Sequence, residues 1–157
     1  MLYKIGGNII DTKCKIIVQQ ANSVGIECTD GPRQSLFDQV IHKWPTVFDQ
    51  CHEFYSSFGR AGLSLLGHVN YADTDDGHIV AVCFTKVPAD GTFVVDHNAL
   101  ECCFRDIADY AYEYEMTVAI PHKLGIEISD HEWSKILDII GRCFCWSNTR
   151  CYIYQYD

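Results

Sequence analysis

The stretch Ile16-Ile17-Val18-Gln19-Gln20-Ala21-Asn22 decides the fold. Its opening run, Ile16 to Gln20, favours a buried strand. The loop Ala21-Asn22-Ser23-Val24-Gly25-Ile26-Glu27-Cys28-Thr29-Asp30-Gly31-Pro32 follows. Beyond it Leu36, Phe37, Val40, Ile41 and Trp44 recur at three and four residues, the period of one helix face. A buried strand that passes through a loop into an amphipathic helix is the repeating unit of an α/β sheet.

The same alternation continues in both directions. Further strands are expected at Leu2 to Ile5, Ser64 to Tyr71, His78 to Phe84, Met116 to Ile120 and Cys151 to Tyr156. Asp75-Asp76-Gly77 carries the Asp-Gly signal of a hairpin between two of them. Pro45 interrupts the first helix, and Val47, Phe48 and Cys51 resume after it. A second helix opens at Asp96 or His97 and stripes Leu100, Cys103, Phe104, Ile107 and Ala111. The last opens with the capping box Ser129-x-x-Glu132, followed by Trp133, Ile136, Leu137 and Ile140. Those stripes read as core. The pattern predicts one α/β domain over residues 1–157, with a mixed six-stranded sheet and helices on both faces.

Composition excludes several function classes. The 157 residues carry a formal net charge of −9 with only 12 Lys and Arg, a poor surface for neutralising nucleic-acid phosphates. No apolar run approaches the roughly 18 residues of a membrane span, and Met1-Leu2-Tyr3-Lys4-Ile5 does not read as a signal peptide. A cytoplasmic location is therefore expected. Nine cysteines, with Cys102 and Cys103 adjacent and no CxxC pair, make a poor disulfide framework. Cys51, Cys83 and Cys103 fall on apolar faces, where a thiol acts as a small hydrophobe. Cys143-x-Cys145 with Cys151 lacks zinc spacing, and the Asp73 to Asp76 turn lacks a calcium loop's ligand order. No metal and no cofactor is expected.

In an open α/β sheet, ligands bind beyond the carboxyl ends of the strands. Two loops qualify: the one after Gln20, and Pro121-His122-Lys123-Leu124-Gly125-Ile126-Glu127-Ile128 before the capped helix. Both deliver chain to a helix N-terminus, where backbone N–H groups can hold a phosphate without any lysine.

Further landmarks run through the chain in order: Gly7-Asn8-Ile9, Gln19-Gln20-Ala21-Asn22, Lys43-Trp44-Pro45-Thr46-Val47-Phe48, Asp96-His97-Asn98-Ala99-Leu100, and Ile120-Pro121 ahead of Trp133. The set resembles the small macro domains and covers nearly the whole sequence. The resemblance implies a three-layer α/β/α fold that binds ADP-ribose or a related nucleotide in a cleft. It places Asn8 and Ile9 near adenine and Asn22 near the distal ribose. Around the pyrophosphate it places Gly25, Ile26 and Gly31 in the first loop and Gly125, Ile126, Glu127 and Ile128 in the second. Asn8 stands where the family has Asp, and its amide oxygen retains an acceptor but no charge. Glu27 and Asp30 in the first loop, and Glu127 in place of the second loop's glycine, bring carboxylates toward a pyrophosphate.

Catalytic readings also rest on the resemblance. Thr85-Lys86 is similar to the Thr-Lys of the branch that removes ADP-ribose from glutamate, where the lysine attacks the ribose. The partner acid of that branch falls at Ile128 here, with Asp130 two positions away as substitute. The plainer reading of Lys86 is an exposed residue at a strand end. Relatives that hydrolyse ADP-ribose-1''-phosphate imply a histidine with an acid, for which His122 with Asp130 or Glu127 is the available set; a solvated loop histidine is the plainer alternative. A domain of this kind that acts instead through a protein partner or self-association, or binds another nucleotide-derived signal, is the competing expectation. The Tyr152-Tyr154-Tyr156 alternation near the C-terminus suits either an interface or an ordinary strand.

Overall fold

The computed structural model describes residues 1–22 and 36–155. In chain order the elements are β1 (Leu2–Gly6), β2 (Ile16–Asn22), α1 (Leu36–Lys43), α2 (Thr46–Arg60), β3 (Val69–Asp73), β4 (Ile79–Ala89), β5 (Thr92–Val95), α3 (His97–Glu113), β6 (Val118–Pro121), α4 (Asp130–Phe144) and β7 (Cys151–Gln155). The strands pair in the order β1-β7-β6-β2-β4-β3, with β5 also on β4. The pairs β1–β7, β7–β6, β6–β2 and β2–β4 are parallel, while β3 and β5 run antiparallel to β4. The sheet is mixed and the fold α/β, with seven strands among the described residues rather than the six expected.

Alternation along the strands sorts the core into two layers. Ile16, Val18, Ala81, Cys83, Val118 and Ile120 face α3 and α4, packing on Leu100, Phe104, Ile107, Trp133, Ile136 and Ile140. Ile17, Val80, Val82, Phe84 and Ala119 face the other way, onto Val40, Trp44, Val47 and Cys51 of the α1–α2 side. Period-2 strands between period-3.6 helices leave no other arrangement that buries both faces. Ile136 and Ile140 are fully buried, each contributing roughly 1.5–3 kcal/mol of apolar burial. Cys51, Cys83 and Cys103 are fully buried, and burial pushes the Cys51 thiol up to about 12.

The punctuation follows the local rules. Trp44 and Pro45 separate α1 from α2. The Asp96 carboxylate accepts from the Ala99 backbone N–H at 2.8 Å and starts α3. Ser129 Oγ accepts from the Glu132 backbone N–H at 3.1 Å and starts α4. The Asp75-Asp76-Gly77 turn joins β3 to β4 with Gly77 at φ 90°, closed by the Thr74 N–H donating to His78 O at 3.0 Å. The added strand arises at a second Asp-Gly pair. Asp90 and Gly91 adopt φ 49° and 78°, and the chain folds back so that Lys86 to Ala89 pair with Val95 to Thr92. Thr85-Lys86, expected beyond the end of a strand, lies inside β4. No helix among the described residues is long and apolar enough to cross a membrane.

Candidate functional site

Because β1, β7, β6, β2 and β4 are parallel, their carboxyl ends share one edge of the sheet, and a cleft opens there. Its walls come from segments far apart in sequence: Gly7, Asn8 and Ile9 after β1, Leu36 and Gln39 on α1, Pro121, His122 and Gly125 after β6, and Tyr154 and Gln155 of β7. The cavity volume is about 490 Å³, within the range of nucleotide-sized ligand pockets.

Asn8 shapes the first wall. It caps a short 3-10 turn, Ile9–Asp11, by accepting from the Ile10 N–H at 3.2 Å. The Asn8 oxygen is thus partly engaged, while Ile9 is buried beneath the cleft. Thr12, next along, donates through its hydroxyl to the Tyr154 phenol oxygen at 2.7 Å and ties this wall to β7.

The opposite wall is a left-handed turn. Lys123, Leu124 and Gly125 take φ of 52°, 58° and 73° in succession. For Lys and Leu such backbone costs about 1–2 kcal/mol each, so surrounding contacts must impose it. Leu124 is buried in the α3–α4 core layer. The Lys123 ammonium reaches Asp130 at 2.8 Å, and the Ile126 N–H donates to Lys123 O at 3.1 Å. Gly125 is required twice over, by its φ and by space. A Cβ there would lie 2.9 Å from Leu36 Cδ2 and 3.4 Å from Leu36 Cβ.

At the β2–β4 end the polar groups are side chains. The register passes from Ala21 opposite Phe84 to Asn22 opposite Lys86, so Thr85 is an extra residue in β4. Thr85 is fully buried and its hydroxyl donates to Gln20 Oε1. Among the described residues Asn22 Oδ1 is buried without a hydrogen-bond partner, and Gln20 Nε2 finds no nitrogen or oxygen partner and has the Cys83 thiol beside it. Each unmet group costs about 1–3 kcal/mol unless a bound molecule satisfies it.

No protein-family model matches the sequence, and no curated protein does. Solved structures do match. A macrodomain protein from Streptomyces coelicolor aligns over 100% of both chains at 20% identity and a TM-score of 0.76. The macrodomain of Thermus aquaticus DarG aligns over 99% of this chain and 98% of its own at 16% identity, TM-score 0.73. The chain has the macrodomain fold. Thermosipho africanus DarTG, solved in complex with ADP-ribose, is similar over 99% of this chain and 42% of its own, at 15% identity and a TM-score of 0.67.

On this macrodomain fold the predicted site residues separate into groups. Asn8, Ile9, His122 and Gly125 converge on the cleft. Asn22, Thr85 and Lys86 sit together at the β2–β4 end, with Lys86 half-buried. Ile126 and Ile128 pack partly into the α3–α4 core layer, and Glu127 is exposed. Gly25, Ile26 and Gly31, with the acidic Glu27 and Asp30, lie outside the described residues, as does Tyr156. His122 packs edge-on against Trp133 at 5.4 Å. Burial holds its pKa below the ordinary imidazole value; Lys123 and Lys4 lower it further, while Asp130 pulls the other way. The hydrogen bond from Lys123 keeps the Asp130 carboxyl below the usual carboxylate range, on a side chain that is 96% exposed.

Other residues at this edge were not anticipated. Leu36, Gln39, Tyr154 and Gln155 line the cleft. Tyr154 was readable only as one member of an alternating strand. His97 and Glu132, the latter at the capping-box position, approach at 3.4 Å between α3 and α4.

Proposed function

We propose that this protein binds ADP-ribose or a close derivative in the cleft between the Asn8 wall and the Gly125 turn. The observation that carries the reading is convergence. Asn8, Ile9, His122 and Gly125, assigned to one ligand from sequence, line one cavity at the carboxyl edge of the sheet. A structural neighbour of the same fold was solved with ADP-ribose. In this reading adenine lies against Asn8 and Ile9. Backbone groups of the turn from Gly125 to Ile128 approach the pyrophosphate. The orphaned Asn22 oxygen accepts from a ribose hydroxyl.

Binding without turnover is the favoured form. Asp130 is engaged by Lys123 and exposed to water, a poor state for an acid that must organise Lys86. The hydrolytic form, removing phosphate from ADP-ribose-1''-phosphate or ADP-ribose from protein, draws support from His122. It lines the cleft with a depressed pKa, so its neutral, proton-accepting form dominates at neutral pH. Calorimetry with ADP-ribose is the test of binding. Saturable heat and a thermal shift are expected, and neither appearing at millimolar ligand rejects the site. Unchanged product release in His122→Gln, Lys86→Ala and Asp130→Ala variants would remove their catalytic roles.

A further inference from the structure

Strand β1 forms one edge of the sheet and pairs only with β7. Its bonds to β7 fix where its backbone groups point. The Met1 carbonyl accepts from the Cys151 N–H and the Gly7 N–H donates to Gln155 O, so the odd-numbered residues face β7. Backbone direction alternates along a strand, which turns the N–H and C=O of Leu2, Lys4 and Gly6 outward. Among the described residues no hydrogen bond reaches those outward groups. Side chains alternate between the faces of the sheet. Leu2 packs toward α3 and α4, so Met1, Tyr3 and Ile5 emerge on the opposite face, where they are 67%, 38% and 40% exposed. The row is ordered from within: Tyr3 stacks on Tyr152 of β7 at 5.2 Å and its hydroxyl donates to the Met1 sulfur at 2.8 Å. Ile5 borders a hollow of about 500 Å³ in the same face, with Cys14, Tyr152 and Tyr154. Solvated edge strands are usually blunted by charge or proline, whereas this one presents a row of large apolar side chains.

The strand is complementary to itself. Antiparallel pairing of two β1 strands about a two-fold axis at Tyr3 sets Tyr3 against Tyr3 of the second copy, Met1 against its Ile5 and Leu2 against its Lys4. Leu2 and Lys4 are the residues whose backbone groups point outward, so each Leu2–Lys4 pair exchanges main-chain hydrogen bonds in both directions. Tyr3 falls at the close, non-hydrogen-bonded position, where cross-strand aromatic pairs pack best. Met1 of the second copy arrives beside Ile5, at the rim of the hollow. Other registers match less well. An axis at Lys4 sets two ammonium groups side by side, and axes at Leu2 or Ile5 carry Ile5 or Met1 past the end of the paired strand. Lys4 thus guards the edge against those pairings and permits this one, with its aliphatic stem along Leu2 of the second copy.

We propose that β1 joins two copies of this chain, continuing the sheet antiparallel across a two-fold axis at Tyr3. The inference is independent of nucleotide binding. Sedimentation velocity on the wild type over a concentration series reaching roughly 500 µM should show monomer passing to dimer. Lys4→Pro removes an outward N–H and leaves the ladder to β7 intact, so it should weaken association at least about tenfold. Lys4→Thr keeps that N–H and should associate like the wild type. Tyr3→Arg and Tyr3→Glu should each weaken association by roughly tenfold, because the axis sets like charges against each other. An equimolar mixture of those two variants should recover a dimer, since the same axis then sets opposite charges together. A wild type that stays monomeric throughout the series overturns the proposal. A dimer that Lys4→Pro and both Tyr3 variants leave intact places the interface elsewhere and overturns it equally. A mixture no stronger than either Tyr3 variant alone removes the axis from Tyr3. Circular dichroism of each variant confirms that the fold is retained.

Discussion

The two polar ends of the carboxyl edge are built in opposite ways. At Lys123 to Gly125 the shape is made by backbone, with Leu124 buried, Lys123 paired to Asp130 and Leu36 occupying the space a Gly125 Cβ would need. At the β2–β4 end the backbone is an ordinary ladder with one extra residue, and side-chain amides supply the polarity. The first end therefore specifies form and tolerates no added atoms. The second stores unmet hydrogen-bonding capacity in buried side chains. A ligand would be shaped by one and satisfied by the other.

The largest effect should come from breaking the backbone end. Gly125→Ala adds a Cβ into Leu36 and places a side chain at φ 73°. Strain and overlap together should cost roughly 2–5 kcal/mol in urea unfolding, with the m-value unchanged. Adding Leu36→Ala should return the part due to overlap but not the part due to φ. A loss below about 1 kcal/mol in Gly125→Ala would show that the turn relaxes freely.

Thr85→Val tests the side-chain end. It keeps the shape, removes the donor to Gln20 and should cost about 1–3 kcal/mol, because the buried Gln20 Oε1 then loses its donor. Asn22→Ala sharpens the contrast. It deletes an oxygen with no partner among the described residues, so stability should hold or rise by up to about 1–3 kcal/mol, while affinity for ADP-ribose should fall about tenfold for one lost hydrogen bond. Equal damage to stability and affinity would assign Asn22 to the framework instead.

The contrast also explains what was legible in the sequence. The Ile16 to Gln20 run, Pro45, Ser129-x-x-Glu132 and Asp76-Gly77 each carry a local rule, and the strands and helices follow them, with β2 running on to Asn22. The β5 hairpin had an equally good Asp90-Gly91 turn, but Pro88 argues against a strand because it cannot donate to a ladder. It is accommodated near the hairpin end of β4, opposite Phe93. The left-handed turn was not legible at all, since Lys123 and Leu124 are not residues that prefer positive φ. Tertiary contacts impose it. Asn8, His122 and Gly125 could be assigned to one site by resemblance. Leu36, Gln39 and Tyr154 could not, because only the folded sheet brings α1 and β7 to the same edge.

The smallest effect concerns charge at the backbone end. His122 lies below its ordinary value near 6.5, chiefly through burial, then through Lys123 and Lys4, with Asp130 opposing. The folded protein therefore holds this proton more weakly than the unfolded chain. The contribution to stability is full above the unfolded value and is lost as pH falls through it toward the folded value. An NMR titration should give a midpoint below 6.5 for His122. Lys123→Met should raise that midpoint, and Asp130→Asn should lower it, because each removes a charge of known sign. A diphosphate seated in the cleft adds negative charge beside the same ring and must raise the midpoint as well. Linkage then requires proton uptake on binding and tighter binding as the solution is acidified through the histidine range, and His122→Gln should flatten that dependence. A His122 midpoint unmoved by saturating ADP-ribose would place the phosphates away from this turn, leaving the β2–β4 end to hold the ligand without the wall that the fold has built opposite it.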